Sequence, residues 1–510
     1  MNWATILRNI FSNWVSYLVT ALLGFFLAPF IVHSLGNTGY GLWTLVLSLT
    51  GYFGLLDLGI RSSVGRFVAR YLALKDDENV NRTISSAFVI LATGGVLALL
   101  STGIVAGFLF GSLKVDRQFQ DIGRLALLIT GVNMACILPL SVFSSVLIAL
   151  ERYDYLSGIT VVGELLRASL VVMALRSGHG LVSLALISLL ITSVTYGAMA
   201  YFARSLYRPL SVSLALVNRA SCRGLLGFGI YRFIWVIANQ LIFYSDSVVI
   251  GVFLGAGSIT YYAIAGSLIN YGRTVVSLVT DTLYPVATRL DARQDRKGLQ
   301  DLLILGTKIS LIVALPLCIG FVFMGKGFIV LWMGKEYVSS ALFLLILTIP
   351  QLGSMSQYVS ALILAGMAKH KVLAYIAIGE GLANLALSIV LIRRIGLVGV
   401  AWGTVIPDLV CTSVILPLYT LRVLKLGVRE YIVKAYVRPL ICAAPVAGIA
   451  YWISVMGLRP SWPAFACQVG VIGGSYGILA FLVCLDSGQR TMVLAKLHTL
   501  LRREVTVHEA

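Results

Sequence analysis

Charged side chains are scarce in this chain. Only 12% of its 510 residues are Asp, Glu, Lys or Arg, whereas soluble domains carry roughly 25%. The sequence also lacks a Walker A loop and a Gly-x-Ser-x-Gly turn, and its five histidines show no metal-ligand spacing. These absences argue against the P-loop hydrolases, the α/β-type serine hydrolases and the zinc enzymes with a recognisable motif.

Paired cysteines are absent as well. No Cys-x-x-Cys motif occurs, and most of the seven cysteines lie inside apolar runs. We therefore expect buried, unreactive thiols and no metal site. The cysteines are Cys136, Cys222, Cys318, Cys411, Cys442, Cys467 and Cys484.

Long apolar runs fill the chain in place of charge, and 59% of the residues are hydrophobic. A helix needs about 20 apolar residues to cross a bilayer, and the runs lack the period-two alternation of barrel strands. The sequence therefore predicts an all-α integral membrane protein with about 14 transmembrane helices. The predicted spans are 12–34, 40–60, 84–110, 122–149, 156–175, 181–202, 224–254, 259–288, 302–323, 341–366, 372–392, 397–421, 438–456 and 463–485.

Basic residues are distributed unevenly between the two sides of these spans. Of the 39 Lys and Arg residues, 26 lie on the side of both termini and nine on the other. The positive-inside rule then places both termini in the cytoplasm. The net charge of +18 is thus explained by anionic membrane lipids rather than by nucleic acid.

An internal repeat is the next feature. Leu35-Gly36 recurs as Leu254-Gly255 at an offset of 219, and Gly163-Glu164 recurs as Gly379-Glu380 at 216. Spans 1–6 and 7–12 would then form two parallel six-helix bundles related by a pseudo-twofold axis along the membrane normal, as in many transporters. We expect three segments: residues 1–222 (spans 1–6), 223–422 (spans 7–12) and 423–510 (two extra C-terminal spans and a tail).

Ionisable residues inside the spans are costly, at roughly 2.5–3.5 kcal/mol each on insertion scales. Arg273 and Arg232 have no acidic neighbour three or four residues away, so we expect both to face a hydrated cavity and to bind an anionic cargo. Glu164 and Arg167 either pair on one helix face or line the cavity. The intramembrane charges are Asp57, Glu164, Arg167, Arg232, Asp246, Arg273, Asp281, Lys308, Glu380 and Asp408.

Two sets of candidate site residues follow. The cargo-binding candidates are Arg273 and Arg232, followed by Arg61 and Arg167. The candidates for coupling to a proton or Na⁺ gradient are Glu380, Asp408, Glu164 and Asp57. Asp246 is interpreted instead as a residue near the outer end of its helix.

Several stretches resemble the oligosaccharide (O-antigen unit) flippases and polysaccharide biosynthesis transporters of the multidrug/oligosaccharidyl-lipid/polysaccharide superfamily. The matching motifs are Ser34–Leu42, Gly54–Arg61, Leu150–Tyr153, Ala361–Lys371, Glu380–Asn384 and Gly396–Thr404. The resemblance implies a flippase that moves a polyprenyl-(pyro)phosphate-linked oligosaccharide (an O-antigen, capsule or exopolysaccharide unit) from the inner to the outer leaflet. It also implies possible partners in a glycan polymerase and chain-length proteins, with no cofactor.

Four alternatives stay open, one of them a non-transporting scaffold, which would not need buried charges. A lipid II flippase is disfavoured, because the arginines that this branch carries in its first helix are absent here and Arg8 precedes that helix. A cation-coupled drug exporter would favour an acidic cavity. A membrane enzyme of glycan assembly would need a catalytic loop or a carboxylate pair at a cavity mouth, and the sequence shows neither, so we expect a transporter and not an enzyme.

Overall fold

The computed structural model describes residues 3–112, 117–457, 460–485, 488 and 490–491, which are mostly helical and contain no strand. Because lipid offers the backbone no hydrogen bonds, apolar runs of this length satisfy their own amides as helices. The all-α prediction is confirmed. The α-helices are α1 (Trp3–Phe53), α2 (Ile60–Ala73), α3 (Asp77–Ser112), α4 (Arg117–Ala149), α5 (Tyr153–Arg176), α6 (Leu181–Leu206), α7 (Arg219–Phe253), α8 (Ala256–Thr280), α9 (Tyr284–Ala292), α10 (Arg296–Trp332), α11 (Ser340–Thr348), α12 (Gln351–Ser356), α13 (Tyr358–Gly366), α14 (His370–Ile395), α15 (Leu397–Val410), α16 (Leu416–Leu424), α17 (Val428–Ile432), α18 (Arg438–Val455) and α19 (Trp462–Val483).

Eleven helical stretches of the described chain are long and apolar enough to cross a membrane. A twelfth is added if the bent pair Ser340–Thr348 and Gln351–Gly366 is one span. The first of the eleven, Trp14–Ala73, has 60 residues and contains a break at Gly36. These 60 residues are about three times the roughly 20 that one crossing needs, because the stretch joins α1 to α2. The exact number of 14 spans stays a prediction.

Residues with positive φ mark the helix junctions, and most of them recur at spacings close to the predicted repeat offsets of 219 and 216. Each pair lies 217 to 219 residues apart, and half of these residues are not glycine, so the left-handed backbone is imposed by the junction. Leu58 and Gly59 have no such counterpart. The recurrence supports the repeat, whose superposition stays a prediction. The pairs are Gly36 with Gly255, Lys75 with Gln294, Glu151 with Ala368, and Gly178 with Gly396.

The chain divides into two compact units, and the division falls within α8 and within α15. The first unit comprises Met1–Ile264 and His370–Thr404. Its core lies between α2, α3 and α4, where Val64, Ile84 and Val146 are fully buried. Elsewhere in this unit α7 packs against α14, with Gly381 lying against the side chain of Leu241.

The second unit comprises Ala265–Lys369 and Val405–Ala510. Its long helix α10 packs against α18 and α19, and Leu311, Val446 and Tyr476 are buried there. These units differ from the predicted segments, because His370–Thr404 belongs with the first unit. The boundaries after residues 222 and 422 describe the sequence repeat, and they stay a prediction.

A close helix crossing fixes the start of α8 in the first unit. Thr260 donates a hydrogen bond to the carbonyl oxygen of Asn37 at 2.7 Å, just after the break at Gly36. A Cβ atom on Gly41 would lie 1.8 Å from the carbonyl oxygen of Ala256. Only glycine therefore fits at position 41 without moving one helix away from the other.

Candidate functional site

Asp246 is the centre of a polar cluster in the first unit. It lies on α7 with 5% of its surface exposed. Its Oδ2 accepts hydrogen bonds from Tyr262 of α8 at 2.6 Å and from Thr404 of α15 at 2.7 Å. Ser388 of α14 donates to Oδ1 at 3.5 Å. Hydroxyl groups from three helices thus surround one buried carboxylate on a fourth helix.

A further layer of amide and hydroxyl groups surrounds this carboxylate. The side-chain amide of Asn384 donates to Thr404 at 3.2 Å, and Ser245 donates to the carbonyl oxygen of that amide at 3.3 Å. Within the described residues, no Lys, Arg or His nitrogen lies within 4 Å of the Asp246 carboxylate. We call this set the Asp246 cluster: Ser245, Asp246, Tyr262, Asn384, Ser388 and Thr404.

The chemistry of the Asp246 cluster suits a small hard cation or a proton. Hard cations prefer carboxylate, carbonyl and hydroxyl oxygens, and transporters bind Na⁺ or H⁺ with such groups at mid-membrane. A buried carboxylate without a cationic side chain is energetically unfavourable, so binding of either ion would lower its free energy. Asp246, Asn384, Ser388 and Thr404 can each supply an oxygen.

The sequence analysis placed Asp246 near the outer end of its helix and did not identify it as a site residue. Asp246 lies seven residues before the end of α7, about 10 Å along the axis, and is covered by three other helices. Its partners lie 16, 142 and 158 residues away in sequence. Spacing along a helix could not reveal them.

A second charged cluster lies in the second unit. Arg273 of α8 donates through Nη2 to Oδ2 of Asp408 at 3.0 Å and through Nε to Oε1 of Gln351 at 2.8 Å. Ser354 donates to the other oxygen of Asp408. The Arg273 side chain is 17% exposed and that of Asp408 is 5% exposed. We call these four residues the Arg273 cluster.

The Arg273 cluster corrects the expectation of an unpaired arginine. Its acidic partner comes from α15, 135 residues further along the chain, so the absence of local acidic neighbours was no guide. Asp408, predicted separately as a coupling residue, is that partner. The expectation that Arg273 is unpaired is wrong for this conformation, whereas its position at a hydrated cavity stays a prediction. Its binding of cargo stays a prediction.

Irregular backbone surrounds the Arg273 cluster. Gln351 and Ser354 lie on the six-residue helix α12, after a 48° bend that separates α11 from α12 and α13. A π-helical turn, Cys411–Ile415, follows Asp408 directly on α15. Such turns are frequent at functional sites because they interrupt the regular hydrogen bonding of a helix. The Arg273 cluster therefore lies beside two irregular segments, the bend before α12 and the π-helical turn after α15.

The remaining candidates form local pairs or lie apart. Arg61 lies 3.5 Å from Asp57, and Arg167 lies 3.4 Å from Glu164, all four side chains being partly exposed. Pairing on one helix face, one of the two alternatives for Glu164 and Arg167, is thus what the structure shows. Glu380 is buried on α14, one turn before Asn384 of the Asp246 cluster. The side chain of Arg232 lies outside the described residues.

Comparison with known proteins adds a family match. Residues 6–291, more than half of the chain, match the family described as polysaccharide biosynthesis protein. The chain is 22% identical over 493 residues to the uncharacterized membrane protein EpsK of Bacillus subtilis, covering 96% of this chain and 97% of the relative. It is also 22% identical over 418 residues to a putative O-antigen transporter of Shigella flexneri, covering 78% and 93%.

Solved structures share the fold. The lipid II flippase MurJ in an inward closed conformation aligns with a TM-score of 0.74 at 14% identity, covering 94% of this chain and 98% of the flippase. An inward-facing multidrug resistance MATE family transporter of the MOP superfamily aligns with a TM-score of 0.69 at 15% identity, covering 80% and 94%. The fold is therefore that of these membrane transporters, and the relatives with a stated function are transporters or flippases, not enzymes.

Proposed function

The chain belongs to the polysaccharide biosynthesis protein family, and from this premise we propose that it flips a polyprenyl-(pyro)phosphate-linked oligosaccharide from the inner to the outer leaflet by alternating access. The cargo would be a repeat unit of O-antigen, capsule or exopolysaccharide. The observation that carries this proposal is the Arg273 cluster, because it places a guanidinium beside the buried Asp408 of the candidate membrane span Leu397–Leu424, and a guanidinium can bind a lipid-linked phosphate.

Arg273 would bind the cargo phosphate by exchanging partners. Guanidinium groups form bidentate hydrogen bonds to phosphate as they do to carboxylate, so phosphate and Asp408 compete for the same nitrogens. Without cargo, the Asp408 carboxylate neutralises Arg273 and limits the cost of its burial. With cargo, Asp408 is released and its buried charge favours uptake of a proton. The pair thereby links phosphate binding to a change in charge.

The Asp246 cluster would couple transport to an ion gradient. A bound Na⁺ or proton would supply the positive charge that the buried carboxylate lacks. Asp246, Asn384, Ser388 and Thr404 would hold the cation, with Tyr262 donating to the carboxylate. A ligand shifts a conformational equilibrium only through its different affinity for the two states. The expected difference is that the four helices close around the ion in one state and separate in the other.

Paired substitution tests the role of Arg273. Removing the arginine alone leaves Asp408 buried and unpaired, at a cost of about 3–5 kcal/mol, and folding would suffer. The Arg273→Gln/Asp408→Asn double variant keeps polar side chains of similar shape and carries no charge. We expect it to reach normal membrane abundance but to lose surface-glycan export, measured by complementation of a deletion strain. Arg273→Lys should restore only part of export, because Lys cannot form the bidentate contact.

The control is Arg124→Gln/Asp121→Asn, which removes a partly exposed ion pair at the start of α4. This variant should export normally. Full export by the Arg273→Gln/Asp408→Asn variant at normal abundance would show that Arg273 does not bind the cargo.

A lipid II flippase is the second candidate. The observation in its favour is coverage, since the lipid II flippase structure aligns over 94% of this chain, whereas the MATE transporter aligns over 80%. Rescue of cells depleted of their own lipid II flippase would support it. Rescue of glycan export without rescue of lipid II transport would support the main proposal.

A further inference from the structure

An apolar groove between α5 and α6 of the first unit belongs to neither charged cluster. Its volume is about 550 Å³, within the roughly 300–1,000 Å³ of small-molecule sites. Its lining residues recur every three or four positions, so that one stripe of each helix faces the other. Representative lining residues are Tyr155, Ile159 and Leu166 on α5, and Ile191, Ala198 and Phe202 on α6.

Small residues create this space. At mid-helix the two helices approach closely, because a Cβ atom on Gly163 would lie 2.7 Å from the hydroxyl of Thr195. One and a half turns earlier, the Cβ position of Gly158 has no atom within 4 Å. Val162 and Val194, 56% and 55% exposed, form the rim. The groove is therefore open to the surface of a protein whose exterior faces lipid.

A fixed guanidinium lies at one end of the groove. Arg152, just before α5, donates through Nε and Nη2 to the two oxygens of Asp154, each at 3.0 Å. Its Cζ lies 4.2 Å from the ring centre of Tyr155, which packs against Phe202 at 4.9 Å. The third guanidinium nitrogen, Nη1, takes no part in these two hydrogen bonds to Asp154. The end of the groove thus presents a positioned cationic donor beside a carboxylate and two aromatic rings.

The length of the groove matches one leaflet. From Tyr155 to Leu166 is eleven residues, or about 16 Å of helix, which is half of the roughly 30 Å hydrocarbon core. With the cytoplasmic termini expected from the basic residues, Arg152 lies at the level of the cytoplasmic headgroups. The apolar part then covers the inner leaflet alone.

We propose that this groove binds the polyprenyl chain of the cargo in the inner leaflet, with the Arg152 guanidinium at its phosphate. The inference rests on the proposed function and adds a loading site to it. A single trough between two neighbouring helices accommodates one chain, and a polyprenyl phosphate carries one chain per phosphate, whereas a phospholipid carries two. Asp154 fixes the guanidinium in place, and the phosphate binds at the part of the Arg152 side chain that stays exposed, 30% of its surface.

A pair of glycine variants provides a matched test. Gly158→Leu fills the groove, whereas Gly197→Leu on α6 places the same side chain at an equally open helical position that does not line it. Both replace a helical glycine by a better helix former, so both should fold at least as well as the native chain. The purified, reconstituted proteins are photolabelled with a diazirine-tagged polyprenyl phosphate, and peptides 153–206 are analysed by mass spectrometry.

We expect labelling of these peptides in the native chain and in Gly197→Leu, competition by untagged polyprenyl phosphate but not by phosphatidylglycerol, and about tenfold less labelling in Gly158→Leu. Glycan export should fall only in Gly158→Leu. Equal labelling in the two variants, or equal competition by phosphatidylglycerol, would show ordinary lipid contact and overturn the proposal. Loss of labelling in Gly158→Leu with normal export would overturn the loading role.

The deletion strain distinguishes failure of the proposed function from failure of the proposed loading site. If glycan export is normal without the native chain, the chain does not carry that cargo, whatever the groove binds. If the deletion abolishes export and the groove is not labelled, only the loading site is disproved.

Discussion

The individual charged residues differ in what neutralises them. Arg273 has a carboxylate partner, and Arg61 and Arg167 have local ones, but the described partners of Asp246 are all hydroxyl groups. An ion pair is stable without any further ligand. A carboxylate held only by hydroxyl groups gains most from a cation, which makes Asp246 the residue most closely tied to coupling.

Asp246→Asn tests that conclusion. The amide keeps the shape of the side chain and still accepts hydrogen bonds from Tyr262 and Thr404, but it carries no charge. We expect normal membrane abundance with loss of the dependence of transport on Na⁺ or pH gradients, measured in vesicles with imposed gradients. Glu430→Gln, at an exposed pair with Lys434, is the control and should keep the native dependence. Unchanged gradient dependence in Asp246→Asn would exclude this residue from coupling.

Local spacing predicted some of these contacts and not others. The Glu164–Arg167 pair followed from an i,i+3 spacing on one helix, which is fixed by helix geometry. The Arg273–Asp408 pair and the hydroxyl groups around Asp246 depend on which helices pack together, and hydropathy does not specify that packing. The sequence therefore identified Arg273 and Asp408 as unusual, but it gave neither their pairing nor the importance of Asp246.

Long apolar runs in the sequence predicted the approximate positions of the helices, but they did not predict where a helix is interrupted. Pro139 lies inside the continuous 33-residue helix α4, whereas Pro350 follows the end of α11 at a bend. Proline removes one backbone donor in either case, but neighbouring groups decide whether the helix continues. The π-helical turn after Asp408 likewise has no signal in hydropathy.

The crossing of α1 and α8 gives a prediction at this scale. Gly41→Ala would place a methyl group 1.8 Å from a backbone carbonyl oxygen, so one helix must move. Gly36→Ala meets no atom within 4 Å, so its cost is the backbone strain of φ 69° and ψ 175°, a region essentially confined to glycine, at roughly 1–3 kcal/mol. We expect Gly41→Ala to lower the Tm in detergent more than Gly36→Ala does. Equal Tm values would mean that the two helices do not cross this closely.

For the whole molecule, the uneven distribution of basic residues gives the orientation. With 26 basic residues on the side of the termini and nine on the other, both termini should be cytoplasmic. A reporter that works only in the cytoplasm should be active when it is fused after Ala510, and a periplasmic reporter should be inactive there. Activity of a periplasmic reporter at that position would reverse the topology.

The repeat gives the second prediction at this scale. Glu164 is the twelfth of 24 residues in α5, and Glu380 is the eleventh of 26 in α14, so both lie near the middle of their helices. We expect spans 1–6 to superpose on spans 7–12 with these glutamates equivalent. An experimental structure with the two residues at different membrane depths would show that the alignment of the repeat is wrong.

The first unit consists of two separate stretches of the chain, and this has a consequence for biosynthesis. Because the first stretch of this unit ends at Ile264 and the second is His370–Thr404, the ribosome must add 140 further residues before the unit is complete. At about 5–20 residues per second this interval lasts roughly 7 to 28 s. During that time Asp246 lacks its partners Ser388 and Thr404, and α7 lacks the packing of α14. Chains truncated between residues 264 and 404 should therefore be bound by membrane chaperones and degraded by membrane proteases. Their degradation should be faster than that of chains that extend beyond Thr404.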